Sequence, residues 1–142
     1  MIVPDVNLLL YASVTGFAEH AHARRWWEAA LNGSREVGLS APALFGFLRI
    51  ATNPRVFESP MPIGTALEHA EAWLGRSHVR FLLPGPRHLE LAFGLLRGLG
   101  TGGNLTTDVQ LAALALEYQA ELHSTDTDFA RFPGLRWVDP LR

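Results

Sequence analysis

Short apolar runs alternate along this chain with longer segments in which apolar residues recur every three or four positions. Ile2 to Pro4 is such a run and ends at Asp5, the pattern of a buried strand. Pro4 lacks an amide donor, a loss that a strand tolerates better at its end than in its middle. Asn7 to Ala12 reads as a short helix. Ala21 to Leu31 is a stronger one, with Ala23, Trp26, Trp27 and Ala30 at helical spacing and Asn32-Gly33 to stop it. Glu36 to Ser40 predicts a second strand. Pro42 opens a helix that passes Leu44, Phe47, Leu48 and Ala51 and ends at Asn53-Pro54. Gly64 to Leu74 and Arg87 to Leu99 are predicted helices on either side of a strand over Val79 to Leu83. Gly100 to Asn104 reads as a loop without further structure. Thr107 to Tyr118, rich in Leu and Ala, is the most helix-favouring segment. A short strand over Glu121 to Ser124, a helical turn over Phe129 to Phe132 and a last strand over Leu135 to Val138 complete the pattern.

Strands that alternate with helices predict an α/β fold, a mostly parallel central sheet with helices on both faces. Ligands of such sheets bind outside the carboxyl ends of the strands. That rule singles out the aspartates. The chain has five, and four stand where the rule places a site: Asp5 after the first strand, Asp108 at the start of the Leu/Ala-rich helix, Asp126 and Asp128 after the strand ending near Ser124. Asp139 belongs to the C-terminal tail. Taken singly, an aspartate before a helix is an N-cap, and one in a loop fixes a turn. Taken together, three or four carboxylates on one sheet edge repel one another unless a divalent cation neutralises them.

Composition narrows the chemistry. With 142 residues, 48% of them hydrophobic and 18% charged, the chain is expected to be one globular domain over residues 1–142. There is no cysteine, so disulfide and thiolate chemistry are excluded. All twelve basic residues are arginine, which excludes an active-site ammonium or a Schiff base. The apolar opening contains Pro4 and Asp5 and has no basic n-region, so no secretory leader is expected. No apolar run reaches the roughly 18 residues of a membrane span. The expected location is the cytoplasm. A net charge of −2 is not the footprint of a protein that grips nucleic acid by bulk electrostatics. A nucleic-acid substrate therefore requires local arginines, such as Arg49 and Arg55, or a metal that bridges acids to phosphate. Carboxylate and water ligands suit Mg2+, with Mn2+ as the alternative, and His20 and His22 lie on different helix faces. Such a site suits phosphodiester hydrolysis, for which metal ions activate water and polarise the phosphoryl oxygen.

Four segments resemble one family throughout the chain. They are Ile2-Val3-Pro4-Asp5-Val6-Asn7-Leu8-Leu9-Leu10-Tyr11-Ala12, the stretch from Phe47 to Phe57, Thr107-Asp108-Val109-Gln110-Leu111-Ala112-Ala113-Leu114-Ala115, and the closing Ser124-Thr125-Asp126-Thr127-Asp128-Phe129-Ala130-Arg131-Phe132-Pro133-Gly134-Leu135. In order and spacing they resemble PIN domains of the VapC toxin group. The resemblance implies a Rossmann-like sheet, magnesium-dependent endoribonuclease activity, a homodimer and a VapB-type antitoxin as partner. It also implies that Asp5, Asp108 and Asp126 are catalytic metal ligands, that Asp128 is a further ligand or supporting acid, and that Asn7 helps orient the site. One position departs from the family. The glutamate common in the middle helix is replaced by Gly46, with no side chain to offer. Two other readings therefore stand beside the nuclease: a module that binds RNA or a protein without cutting, and a phosphatase using Asp5 as nucleophile. The second lacks both a carboxylate at Asn7 and a lysine.

Overall fold

A computed structural model describes residues 1–142. Five strands, β1 (Ile2–Pro4), β2 (Val37–Ser40), β3 (Val79–Leu82), β4 (Glu121–His123) and β5 (Arg136–Val138), form one sheet in the order β3-β2-β1-β4-β5. Every pairing is parallel. Six α-helices connect them: α1 (Val6–Ser13), α2 (His20–Asn32), α3 (Ala41–Ala51), α4 (Ile63–Leu74), α5 (His88–Leu99) and α6 (Thr106–Glu117). Element types agree with the sequence pattern, and boundaries shift by one or two residues. One exception is a 3-10 turn over Gly103–Leu105, inside the stretch read as plain loop. It buries Leu105 and leads directly into α6.

The strands explain themselves through burial. All residues of β1 and β2 are buried, as expected of central parallel strands covered on both faces. Pro4 is the last residue of β1, the central strand of the five, where its missing donor does least harm. Helix α6 runs from Leu111 to Ala115 with every residue buried. Its three alanines there let neighbouring elements approach its backbone closely.

Aromatic residues from three helices make the densest part of the core. The fully buried Phe47 of α3 lies 4.9 Å from the ring of Trp73 on α4, which meets Trp27 of α2 edge-on at 5.5 Å. Trp26 turns the other way and donates its indole N–H to Nδ1 of His123 at 3.2 Å. That bond requires a neutral imidazole with its proton on Nε2, directed at Glu121. Burial lowers the His123 pKa and favours that state. Trp27 is therefore a core residue, whereas Trp26 is half-buried and tied to His123. Phe47→Ala is expected to lower unfolding stability by about 3–5 kcal/mol, read by denaturant unfolding, because the site is walled by rigid rings that cannot collapse into the void.

Candidate functional site

Strand register builds this site. The β1–β4 pairing sets Pro4 beside His123, and the Asp5 N–H donates to the His123 carbonyl at 2.9 Å. The next residues, Asp5 and Ser124, consequently meet at the carboxyl ends of the two strands. The sequence connections leave β1 toward β2 and β3 on one side and place β4 and β5 on the other. The crevice between β1 and β4 is thus the point where the winding direction switches, the usual ligand position in open parallel sheets.

Ser124 is fully buried and its hydroxyl joins the parts of the site. The Oγ donates to Asp5 Oδ2 at 2.7 Å and accepts from the Asp126 N–H at 3.0 Å and the Asn7 amide at 3.4 Å. Asn7 also donates to Thr125 Oγ1 at 2.9 Å. Asn7 therefore supports Asp5 through Ser124 and not directly. Strand β5 holds the Ser124 backbone in turn: Ser124 N–H donates to Val138, and the Trp137 indole donates to the Ser124 carbonyl at 2.9 Å. Sequence reasoning did not assign Ser124 a role, although its place one residue past a strand end, matching that of Asp5, is a readable signal.

The four aspartates occupy different settings. Asp5 is only 5% exposed and caps α1 by accepting the Val6 N–H at 2.7 Å. Asp126 caps the 3-10 turn Thr127–Arg131 through the Asp128 N–H. For these two, the capping role and a place in the site coexist. Asp108 is not a cap; it sits in the first turn of α6, whose N-cap is Leu105. Asp108, Asp126 and Asp128 each present a carboxylate oxygen within 4.8 Å of the others. Asp5 lies deeper and interacts with Asp108 and Asp126 through its charge.

The electrostatics follow from that crowding. Burial raises the Asp5 carboxyl above its ordinary value, against the opposing hydrogen bonds from Ser124 and Val6. Asp108 is pushed up to about 7 by burial and then by the charges of Asp5, Asp126 and Asp128. The helix N-terminus favours a negative charge at Asp108, yet burial and repulsion prevail. The donors are all oxygen and suit a hard divalent cation. Asn7 Oδ1 is buried without a hydrogen-bond partner, an acceptor of the kind that a hydrated cation can satisfy.

Beside the acids, an open groove of about 560 Å³ is lined by Ala41, Pro42, Phe45, Gly46 and Arg49 of α3 and Thr107 and Gln110 of α6. Arg49 thus lines the groove, whereas Arg55, beyond the end of α3, does not. Gly46 faces α1: a Cβ built there would lie 3.0 Å from Val6 Cγ2. The middle helix therefore supplies no carboxylate to the cluster. Asp139 lies outside it, paired with Arg142 at 3.6 Å.

The fold and the acids at its switch point define a class: the chain belongs to the PIN-domain family, whose model matches residues 2–135. Within it, the chain is 57% identical to ribonuclease VapC33 of Mycobacterium tuberculosis over 142 residues, covering all of this chain and 99% of that protein. It is 39% identical to ribonuclease VapC37 of the same organism, covering 99% and 97% of the two chains. Among solved structures, M. tuberculosis VapC20, described as a toxin that cleaves the sarcin–ricin loop, superposes with a TM-score of 0.70 at 19% identity over 96% of this chain and 99% of that one. VapBC2 of Rickettsia felis, bound to a DNA fragment of its promoter, gives 0.69 at 17% over 97% and 98%. At those identities the structures speak to the fold.

Raised carboxyl pKa values carry a sign for stability. Without a cation, the contribution of Asp108 is fully present below its unfolded value of 3.8 and is lost as pH rises through about 7. Thermal melts are expected to show the chelated protein weakening over that window, and added Mg2+ raising the midpoint more at pH 8 than at pH 5. A cation effect independent of pH would contradict this account. Ser124→Ala is expected to cost about 1–3 kcal/mol in denaturant unfolding, since it strips buried partners from Asp5 and Asn7.

Proposed function

We propose that this chain is a VapC-type endoribonuclease toxin that hydrolyses RNA phosphodiester bonds at the crevice between β1 and β4. The observation that carries the reading is the convergence of Asp5, Asp108, Asp126 and Asp128 at the switch point of a parallel sheet. Full-length identity of 57% to a named VapC ribonuclease supports it.

Asp108, Asp126 and Asp128 would hold Mg2+, or Mn2+ in its place, with Asp5 as the deepest ligand or neighbour. When bound, the ion supplies Lewis-acid polarisation of the phosphate and a more reactive water. The chain's own residues do the rest. Ser124 and Asn7 fix Asp5, the Thr127–Arg131 turn fixes Asp126 and Asp128, and Arg49 offers a guanidinium to phosphate. The phosphatase alternative is disfavoured, because Asn7 is committed to Ser124 and Thr125 and no lysine exists. We further propose a VapB-type antitoxin as partner, in keeping with the VapBC complexes among the structural relatives, together with a homodimer and a cytoplasmic location. No helix is long and apolar enough to cross a membrane.

Gly46 keeps a second reading in view, a module that binds RNA without cutting. One experiment separates the two: purified, antitoxin-free protein is incubated with total cellular RNA in Mg2+, Mn2+ or chelator. Discrete metal-dependent fragments are expected, reduced on the order of a hundredfold or more in Asp5→Asn and Asp108→Asn. RNA binding without metal-stimulated cleavage by folded protein would select the binding module.

A further inference from the structure

The groove beside the acids has a composition that metal chemistry does not explain. Pro42, Phe45 and Arg49 are spaced three and four residues apart on α3 and share one face, while Thr107 and Gln110 share a face of α6. The two faces meet across the groove. Phe45 is 66% exposed there and presents its ring to the groove. The Arg49 guanidinium has neither an ion pair nor a hydrogen bond within the chain. Thr107 and Gln110 are exposed, and their side chains make no hydrogen bond within the chain. Gly46 leaves the floor of the groove as bare backbone.

A flat apolar ring, a free fork of N–H donors, an amide that both donates and accepts, and a hydroxyl together match one ligand chemistry: a single nucleotide. Its volume of about 560 Å³ is within the range of small-molecule sites. Continuity with the acids fixes which nucleotide, because Thr107 immediately precedes Asp108 and Gly46 backs onto Val6, which follows Asp5. We infer that this groove is a base-recognition subsite of the RNA substrate: one unpaired base next to the scissile phosphate stacks on Phe45, its edge is read by Gln110 and Thr107, and Arg49 holds the adjoining phosphate. The inference rests on the ribonuclease reading.

The test uses two measurements on the full chain. Binding of labelled single-stranded RNA is measured on chains with all four aspartates intact, with Ca2+ in place of Mg2+ to hold cleavage back, and cleavage-site preference is read by sequencing fragment ends from total RNA. Phe45→Ala is expected to weaken binding about tenfold, as loss of one stacking platform predicts. Phe45→Trp should restore it, and Gln110→Ala should change the preferred base at the cut while the metal dependence of cleavage is kept. Cleavage by the parent chain with unaltered affinity and preference in both variants would overturn the subsite and leave the nuclease standing. A parent chain that binds no RNA in Ca2+ would overturn the subsite, and a parent that neither cuts nor binds would overturn the nuclease as well. Loss of self-association in Phe45→Ala, measured by analytical ultracentrifugation, with RNA affinity unchanged would assign the face to a protein contact and overturn the subsite.

Discussion

Carboxylates that repel one another are held together at the end of this sheet, and much of the fold is arranged around that constraint. Left to themselves, Asp5, Asp108, Asp126 and Asp128 would separate. They cannot, because each is fixed by backbone that the fold commits elsewhere. Asp5 follows a central strand and caps a helix, Asp108 rides in the first turn of the most buried helix, and Asp126 caps a turn that Ser124 anchors. Burial first, and then repulsion among these charges, raises the carboxyls of Asp5 and Asp108 above their ordinary values. A divalent cation resolves it, so the same arrangement that costs stability prepares the site for metal.

The strands and helices were legible because parallel sheets demand buried apolar runs and their crossovers demand amphipathic helices. Four aspartates were legible for a related reason: chain order places them after strands or at a helix start. Register was not legible, and register is what brings Ser124 to Asp5. Ser124 is small and polar, a residue type with many structural uses, so nothing but its position marked it. Of the two arginines considered for phosphate, Arg49 shares a helix face with Phe45 and reaches the groove, while Arg55 lies past the helix end. The helical repeat would have separated them. The 3-10 turn at Gly103–Leu105 escaped because glycines obscure local preference, and only burial of Leu105 against the core gives that segment its shape.

A net charge of −2 and a nucleic-acid substrate are reconciled at the scale of the site. Several of the arginines are taken up by carboxylates: Arg24 by Glu28, Arg35 by Glu121, Arg80 by Glu36. Arg49 stands unengaged in the groove between α3 and α6. On the proposed reading, phosphate would be drawn by one guanidinium and a divalent cation acting at short range, not by a positive field over the whole surface.

The contact between Gly46 and Val6 links two helices through a single missing carbon. A side chain at position 46 must displace the Val6 methyl by a few tenths of an ångström, and Val6 follows the deepest aspartate. Position 46 is therefore not free to regain a glutamate alone. The change would press on the start of α1 and on Asp5 itself, so the two positions form a lock in sequence space. A fifth carboxylate there comes with a shift of Val6, and the bulk of residue 6 sets how large that shift must be.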